Sequence, residues 1–216
     1  MRPVLLFVTL FVPVAVLAQR SGSTIASEQI FDALRLRDGV TVCEIGAGDG
    51  DLTIAAARLV GPQGRVYTSE LGEGRVNTLR ERVAKSTLAQ ITVVAGDPGR
   101  TNFPDEACDA IFMRNVYHHF EEPAVMNASI AAALKPGGRL AVVDFAPPNK
   151  EAERAADRDE DGRHGVSAES VSRELREAGL EPVSSDSGAQ RWFMVVVAKP
   201  GRSLAFREFP TEFGGE

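Results

Sequence analysis

Val42-Cys43-Glu44-Ile45-Gly46-Ala47-Gly48-Asp49-Gly50-Asp51 is the stretch on which the fold of this chain turns. A short apolar run leads into three alternating glycines, and Leu52 then opens a helical pattern, so the order is strand, tight turn, helix. Glycine at 46, 48 and 50 lets the backbone turn sharply and approach a ligand with no side chain in the way. Dinucleotide-binding proteins use such a turn too. Here, however, Asp51 stands where a dinucleotide fingerprint has Gly or Ala, and Glu44, Asp49 and Asp51 would set negative charge beside a pyrophosphate. A cationic nucleoside without phosphate suits so acidic a loop better.

The pattern extends in both directions from this stretch. Thr41 to Ile45, Arg65 to Glu70, Ile91 to Ala95, Asp109 to Arg114 and Leu140 to Phe145 read as strands. Leu52 to Val60, Arg75 to Lys85 and Pro123 to Leu134 read as helices, with Gly61-Pro62-Gln63-Gly64 and Lys135-Pro136-Gly137-Gly138 as breakers. An earlier helix around Ser27 to Leu34, apolar at Ile30, Phe31 and Leu34, is expected to cover one edge of a ligand cleft. This alternation predicts a parallel sheet with helices on both faces. After Phe145, a charged connection through Arg163 is too long for a simple turn and is expected to be a lid or disordered. A helix from Ser167 to near Gly179 follows. Pro182 to Gly188 and Trp192 to Ala198 then form two strands with no helix between them, which predicts an antiparallel hairpin closing the sheet.

Composition sets the outer limits. With 216 residues, 44% hydrophobic and 25% charged, the chain can bury one three-layer core but not two large domains. A net charge of −6 excludes a large basic surface, so no nucleic-acid partner is expected. Cys43 and Cys108 are expected to be buried thiols, with a single disulfide as the alternative for an exported chain. Residues 1–20 stand apart: Arg2 gives a positive start, Val4 to Leu17 is almost wholly apolar, and Val16 and Ala18 are small residues before Gln19. This reads as a secretory signal, with a short retained membrane anchor as the second reading. The chain is thus expected to be exported or tethered to a membrane, or cytoplasmic if translation starts later. Residues 21–200 form the domain, and 201–216, with Phe206, Phe209 and Phe213, form an aperiodic tail.

Two further acids follow the glycines. Glu70 ends the second strand about twenty residues on, where a carboxylate can accept hydrogen bonds from both hydroxyls of a ribose. Gly96-Asp97 follows the third strand, where a carboxylate or neighbouring backbone can meet an adenine amino group. Glu44, Glu70 and Asp97 are therefore expected around one crevice at the sheet edge.

Residues 40 to 145 resemble the class I S-adenosylmethionine-dependent methyltransferases, in particular the group that includes ubiquinone and menaquinone-biosynthesis methyltransferases. The resemblance is carried by Glu44-Ile45-Gly46-Ala47-Gly48-Asp49-Gly50, Glu70, Asp97, Phe103-Pro104-Asp105-Glu106-Ala107-Cys108-Asp109, Arg114-Asn115-Val116-Tyr117-His118-His119-Phe120 and Leu134-Lys135-Pro136-Gly137-Gly138-Arg139-Leu140. It implies a three-layer, Rossmann-like α/β fold with a seven-stranded, mostly parallel sheet whose last strand is antiparallel. It also implies S-adenosyl-L-methionine as cofactor; the leading reading is a methyltransferase acting on a small-molecule or lipid-like acceptor.

By position, the resemblance implies that Glu44 and the backbone of Gly46, Ala47, Gly48 and Gly50 lie against the methionine portion of the cofactor. Glu70, with Leu71 beside it, takes the ribose, and Asp97 with Pro98 borders adenine. Arg114 and Asn115 line the cleft near the methionine end and the acceptor. Methyl transfer asks mainly for orientation and exclusion of water. A base is needed only if the acceptor must lose a proton, and His118 or His119 is the nearest candidate. His164 is a further histidine on the expected lid. Two adjacent histidines without a nearby carboxylate set make a weak metal signature, so no metal is expected. The main alternative is a noncatalytic exported binding protein that keeps the fold, since S-adenosylmethionine is made in the cytoplasm. An NAD-dependent oxidoreductase is disfavoured by the acidic glycine loop.

Overall fold

The computed structural model describes residues 25–160, 162–188 and 190–202. The expected export signal and the phenylalanine-bearing tail lie outside the described residues. Seven strands form one sheet: β1 Thr41–Ile45, β2 Arg65–Glu70, β3 Ile91–Ala95, β4 Cys108–Arg114, β5 Leu134–Phe145, β6 Glu181–Ser187 and β7 Trp192–Ala198. Their order is β3-β2-β1-β4-β5-β7-β6. β1 pairs parallel with β2 and β4, as does β2 with β3 and β4 with β5, whereas β7 runs antiparallel to both β5 and β6. The terminal hairpin therefore forms as the sequence predicts. The strand order reverses between β1 and β4, and an open α/β sheet gapes for a ligand at such a point.

Among the described residues, five α-helices cover the sheet: α1 Ser27–Ala33, α2 Asp51–Val60, α3 Glu73–Ser86, α4 Pro123–Ala133 and α5 Ala168–Glu177. Because side chains alternate along a strand, each strand feeds two cores. Cys43 and Ile45 of β1, with Ile111 and Met113 of β4 and Leu140 and Val142 of β5, are buried against α4 and α5. Val42, Ala110, Phe112, Ala141 and Val143 point the other way and pack against α1 and α2. Each such aliphatic or aromatic side chain contributes about 1.5–3 kcal/mol by leaving water. Among the described residues, no helix is long and apolar enough to cross a membrane.

Two expectations need correction. Lys135-Pro136-Gly137-Gly138 does not interrupt the chain but lies inside β5, where the register with β4 shifts between Cys108 and Ala110. The end of β7 satisfies this irregular stretch, Gly137 donating to the Lys199 carbonyl at 2.9 Å and Lys199 to the Gly138 carbonyl at 2.9 Å.

Cys43 and Cys108 are joined as a disulfide, with Cα atoms 5.9 Å apart, rather than being free buried thiols. Their separation of 65 residues hid the pairing. Both side chains reach the same face of adjacent strands, which only the fold brings about.

The long connection after β5 packs onto the domain across its described residues. Its own Arg158, 3% exposed, points inward and pairs with Glu174 of α5 at 2.5 Å and with Glu151 at 3.4 Å. This guanidinium ties the connection to the body of the domain.

Candidate functional site

A cleft of about 620 Å³ opens at the carboxyl-terminal edge of β1, β2, β3 and β4. Its walls include Gly46 and Gly48 from the turn after β1, Glu70 and Leu71 at the end of β2, and Asp97 and Pro98 after β3. Arg114, Asn115 and His119 line it at and beyond the end of β4. Glu70 and Asp97 thus share one crevice, as the sequence predicts.

Glu44 does not line this cleft. It is 2% exposed and accepts a hydrogen bond from the Thr53 hydroxyl of α2, with Thr68 of β2 at 3.5 Å. Strand alternation explains this: Glu44 falls on the same side of β1 as Val42, toward α2. Burial pushes its carboxyl up to about 8, against the opposing hydrogen bond from Thr53 and the charge of Arg114. Ala47 and Gly50 are also buried and absent from the walls; they shape the turn, where Gly50 donates to the Ala47 carbonyl at 2.9 Å and Ala47 to that of Ser69 at 2.9 Å. Asp51 faces solvent and pairs with Arg82 of α3 at 2.8 Å. The acids of the glycine loop therefore do not rim the cleft. Its charge is mixed, with Glu70, Asp97, Glu121 and Asp159 against Arg75, Arg100 and Arg114. Charge alone discriminates less against a dinucleotide than the sequence suggests.

What the turn supplies is room. Gly46 has φ +70°, and a Cβ there would overlap the Val116 side chain. Gly48, at φ +53°, has no atom within 4 Å of where a Cβ would stand, so its backbone faces open cleft that a ligand can fill. Gly48 also donates from its backbone N–H to Oε2 of Glu70 at 2.8 Å, and Leu71 donates to Oε1 at 3.1 Å. A carboxylate offers about four acceptor positions, so roughly two remain for ligand hydroxyls. Arg75 approaches Glu70 at 3.6 Å. Leu71, 47% exposed, provides an apolar flank. Open backbone, an anchored carboxylate and an apolar flank fit the nucleoside end of S-adenosylmethionine.

The histidine pair divides. A short 3-10 turn, Tyr117–His119, follows β4. His118 is 1% exposed and its Nδ1 lies 2.9 Å from Oδ1 of Asp144, a pair whose side chains are both fully buried. It does not reach the cleft, so it cannot meet an acceptor there as a base. His119 does line the cleft, its side chain 46% exposed and 3.4 Å from Asp159. Burial, with the neighbouring His118, holds its pKa below the ordinary value of 6.5. His164 comes from the connection and approaches His118, Nε2 to Nε2, at 2.9 Å.

Sequence reading missed Asp159, Arg75, Arg100, Val116 and Met126 as parts of the wall. Arg75 had a signal, lying one helical turn beyond Glu70. Asp159 had none, since it sits in an exposed charged run whose return to the cleft depends on Arg158.

Residues 42–138 match the family model described as a methyltransferase domain. The chain is 33% identical over 124 residues to a ubiquinone/menaquinone biosynthesis C-methyltransferase of Saccharophagus degradans, covering 56% of this chain and 50% of that protein. It thus spans about half the length of that relative. A solved S-adenosylmethionine-dependent methyltransferase of Aquifex aeolicus superposes with a TM-score of 0.68 at 25% identity, covering 80% of this chain and 88% of the other. The cyclase SpnF shares the fold with a TM-score of 0.71 at 18% identity, covering 81% of this chain and 80% of the other.

Proposed function

We propose that the chain is a class I S-adenosylmethionine-dependent methyltransferase, transferring a methyl group from its cofactor, S-adenosylmethionine, to a small-molecule or lipid-like acceptor. One observation carries the reading: Glu70, anchored by the Gly48 N–H, opens onto the same cleft as Asp97 and His119. A nucleoside subsite and a space for a second molecule therefore adjoin.

When bound, the cofactor supplies a methyl group already activated on a sulfonium. The chain's own residues then have binding and positioning to perform. In this reading Glu70 accepts the ribose hydroxyls, Asp97 and Pro98 border the base, and Arg114 with Asn115 holds the amino-acid end. Asn115 is fixed for this by a left-handed backbone, φ 62°, and a 2.8 Å bond from its N–H to the Val143 carbonyl. His119, Phe120 and Asp159 border the acceptor's space, where they orient it and exclude water.

The named relative methylates carbon in quinone biosynthesis, which makes phenolic and quinol-like rings the first acceptors to try. A fold shared with a cyclase shows why activity must be measured. We also infer an oxidising compartment, in keeping with the apolar leader. The disulfide supports it, because cytosolic thiols are generally kept reduced.

Calorimetric titration with S-adenosylmethionine, S-adenosylhomocysteine and NAD, followed by transfer of labelled methyl to an acceptor panel, tests the assignment. Binding of both sulfur nucleosides but not NAD, with label transfer, is expected. Binding without transfer to any acceptor would favour the noncatalytic reading. A reporter fused after residue 25 tests the compartment, and reporter activity confined to the cytoplasm would overturn export.

A further inference from the structure

We propose that His118, His119, Asp159 and His164 bind one divalent transition-metal ion of the zinc type beside the cleft, whose wall His119 and Asp159 share. One ligand atom from each of the four lies within 4.8 Å of all the others. The donors come from two distant pieces of chain: the 3-10 turn after β4, and the connection between β5 and α5. The sequence reading expected no metal because the adjacent histidines had no carboxylate nearby. The fold supplies one, together with a third imidazole.

His118 is held as a metal-ligating histidine usually is. Asp144 is fully buried and accepts three hydrogen bonds: from the backbone N–H of Phe145 at 2.9 Å, from that of His118 at 3.2 Å, and from His118 Nδ1 at 2.9 Å. With a carboxylate accepting at Nδ1, Nε2 is the ring nitrogen that faces the donor cluster. It lies 2.9 Å from Nε2 of His164. A carboxylate behind an imidazole whose far nitrogen points into a donor cluster is the usual orienting arrangement of metal sites.

Two further spacings are close to those around a shared ion, and the others lie within 4.8 Å. Asp159 places Oδ1 3.2 Å from His164 Nε2 and Oδ2 3.4 Å from His119 Nδ1. Zinc–nitrogen and zinc–oxygen bonds of about 2.0–2.2 Å put neighbouring ligands of a tetrahedral ion roughly 3.3–3.5 Å apart. Each Asp159 distance is close to this through a different carboxylate oxygen, so the carboxylate would turn one oxygen to the ion, and the His118–His164 pair needs a few tenths of an ångström more. Three imidazoles with one carboxylate suit zinc and its divalent neighbours in the first transition row. Without thiolate the site does not select soft ions, and with three nitrogens it does not suit calcium or magnesium. The ion would pin Asp159 and His164 of the connection to the turn after β4, fixing the wall beside the acceptor's space. Binding of the ion does not depend on methyl transfer.

The untagged full chain, stripped with chelator and dialysed, is titrated with Co²⁺ and then with Zn²⁺. One equivalent of Co²⁺ should give visible ligand-field absorption that Zn²⁺ abolishes. His164→Ala and Asp159→Asn should each weaken Zn²⁺ binding by on the order of tenfold or more. Glu153→Gln, which alters an exposed carboxylate elsewhere on the connection, should leave it unchanged. Absent or nonsaturable binding, or binding indifferent to His164→Ala, would overturn the site and leave a metal-free hydrogen-bonded chain from Asp144 to Asp159. S-adenosylhomocysteine binding is measured on the same samples. Nucleoside binding without metal binding sinks this proposal alone, and the reverse sinks only the methyl-transfer reading.

Discussion

The backbone N–H of Gly48 donates to Oε2 of Glu70 at 2.8 Å, tying the glycine turn after β1 to the tip of β2. One carboxylate thereby does two things. It holds the turn in its open form and presents its unused lone pairs to the cleft.

Glu70→Ala should therefore lose both the ribose contact and the anchor of the turn. Hydrogen bonds to a charged group contribute about 1.5–3 kcal/mol, so S-adenosylhomocysteine affinity should fall roughly 10- to 100-fold by calorimetry. Glu70→Gln keeps an acceptor for Gly48 and should fall less. Unchanged affinity in the alanine variant would remove the ribose assignment.

Gly46 and Gly48 should respond differently to alanine. A left-handed backbone costs a side chain about 1–2 kcal/mol at either position. Gly46→Ala additionally overlaps Val116, adding about 1–3 kcal/mol of overpacking, whereas Gly48→Ala meets no atom and should act mainly on ligand binding. Chemical denaturation and nucleoside titration of both variants separate the effects, and Val116→Ala should restore part of the stability of Gly46→Ala alone.

The Cys43–Cys108 disulfide closes a loop spanning 65 residues between two neighbouring strands. Chain-entropy reasoning assigns it about 4 kcal/mol. Guanidinium unfolding of the oxidised protein should thus show a clearly higher midpoint than in dithiothreitol. Protein denatured without reductant should show no thiol titre from this pair. A full titre from protein isolated from its native compartment would argue against an oxidising location.

Glu44 should give stability a pH dependence. Its carboxyl titrates at about 8 in the folded chain against 4.5 as the ordinary value, so between these values the folded state holds a proton that the unfolded state has released. Stability from this group is complete below pH 4.5 and declines as pH rises toward about 8, by a few kcal/mol at most. Denaturation across pH 5 to 9 should show the decline, and Glu44→Gln should flatten it. A slope unchanged in that variant would place the titration elsewhere.

Much of this could be read from local pattern. β1, β2, β3 and β7 have the boundaries that hydrophobic runs and turn residues predict, because those signals lie within a few residues of the strands they delimit. Glu70, Asp97, Arg114 and Asn115 were legible because strand ends in such a sheet all open toward one edge. Glu44 was misread by one step of alternation: proximity to the glycines suggested the cleft, while its parity with Val42 sends it beneath α2, where Thr53 receives it. The disulfide and the approach of His164 to His118 depend on residues 65 and 46 positions apart, pairings that no local period encodes.

The buried Arg158 also has a consequence for how the protein could diversify. By clamping Glu151 and Glu174, it makes the connection after β5 a fixed partition rather than a swinging door. The proposed nucleoside subsite is built from sheet tips, while this partition supplies part of the opposing surface. The two can change separately: exchanging the residues around Asp159 while keeping the arginine clamp would retune which molecule is accepted and leave donor recognition as it was.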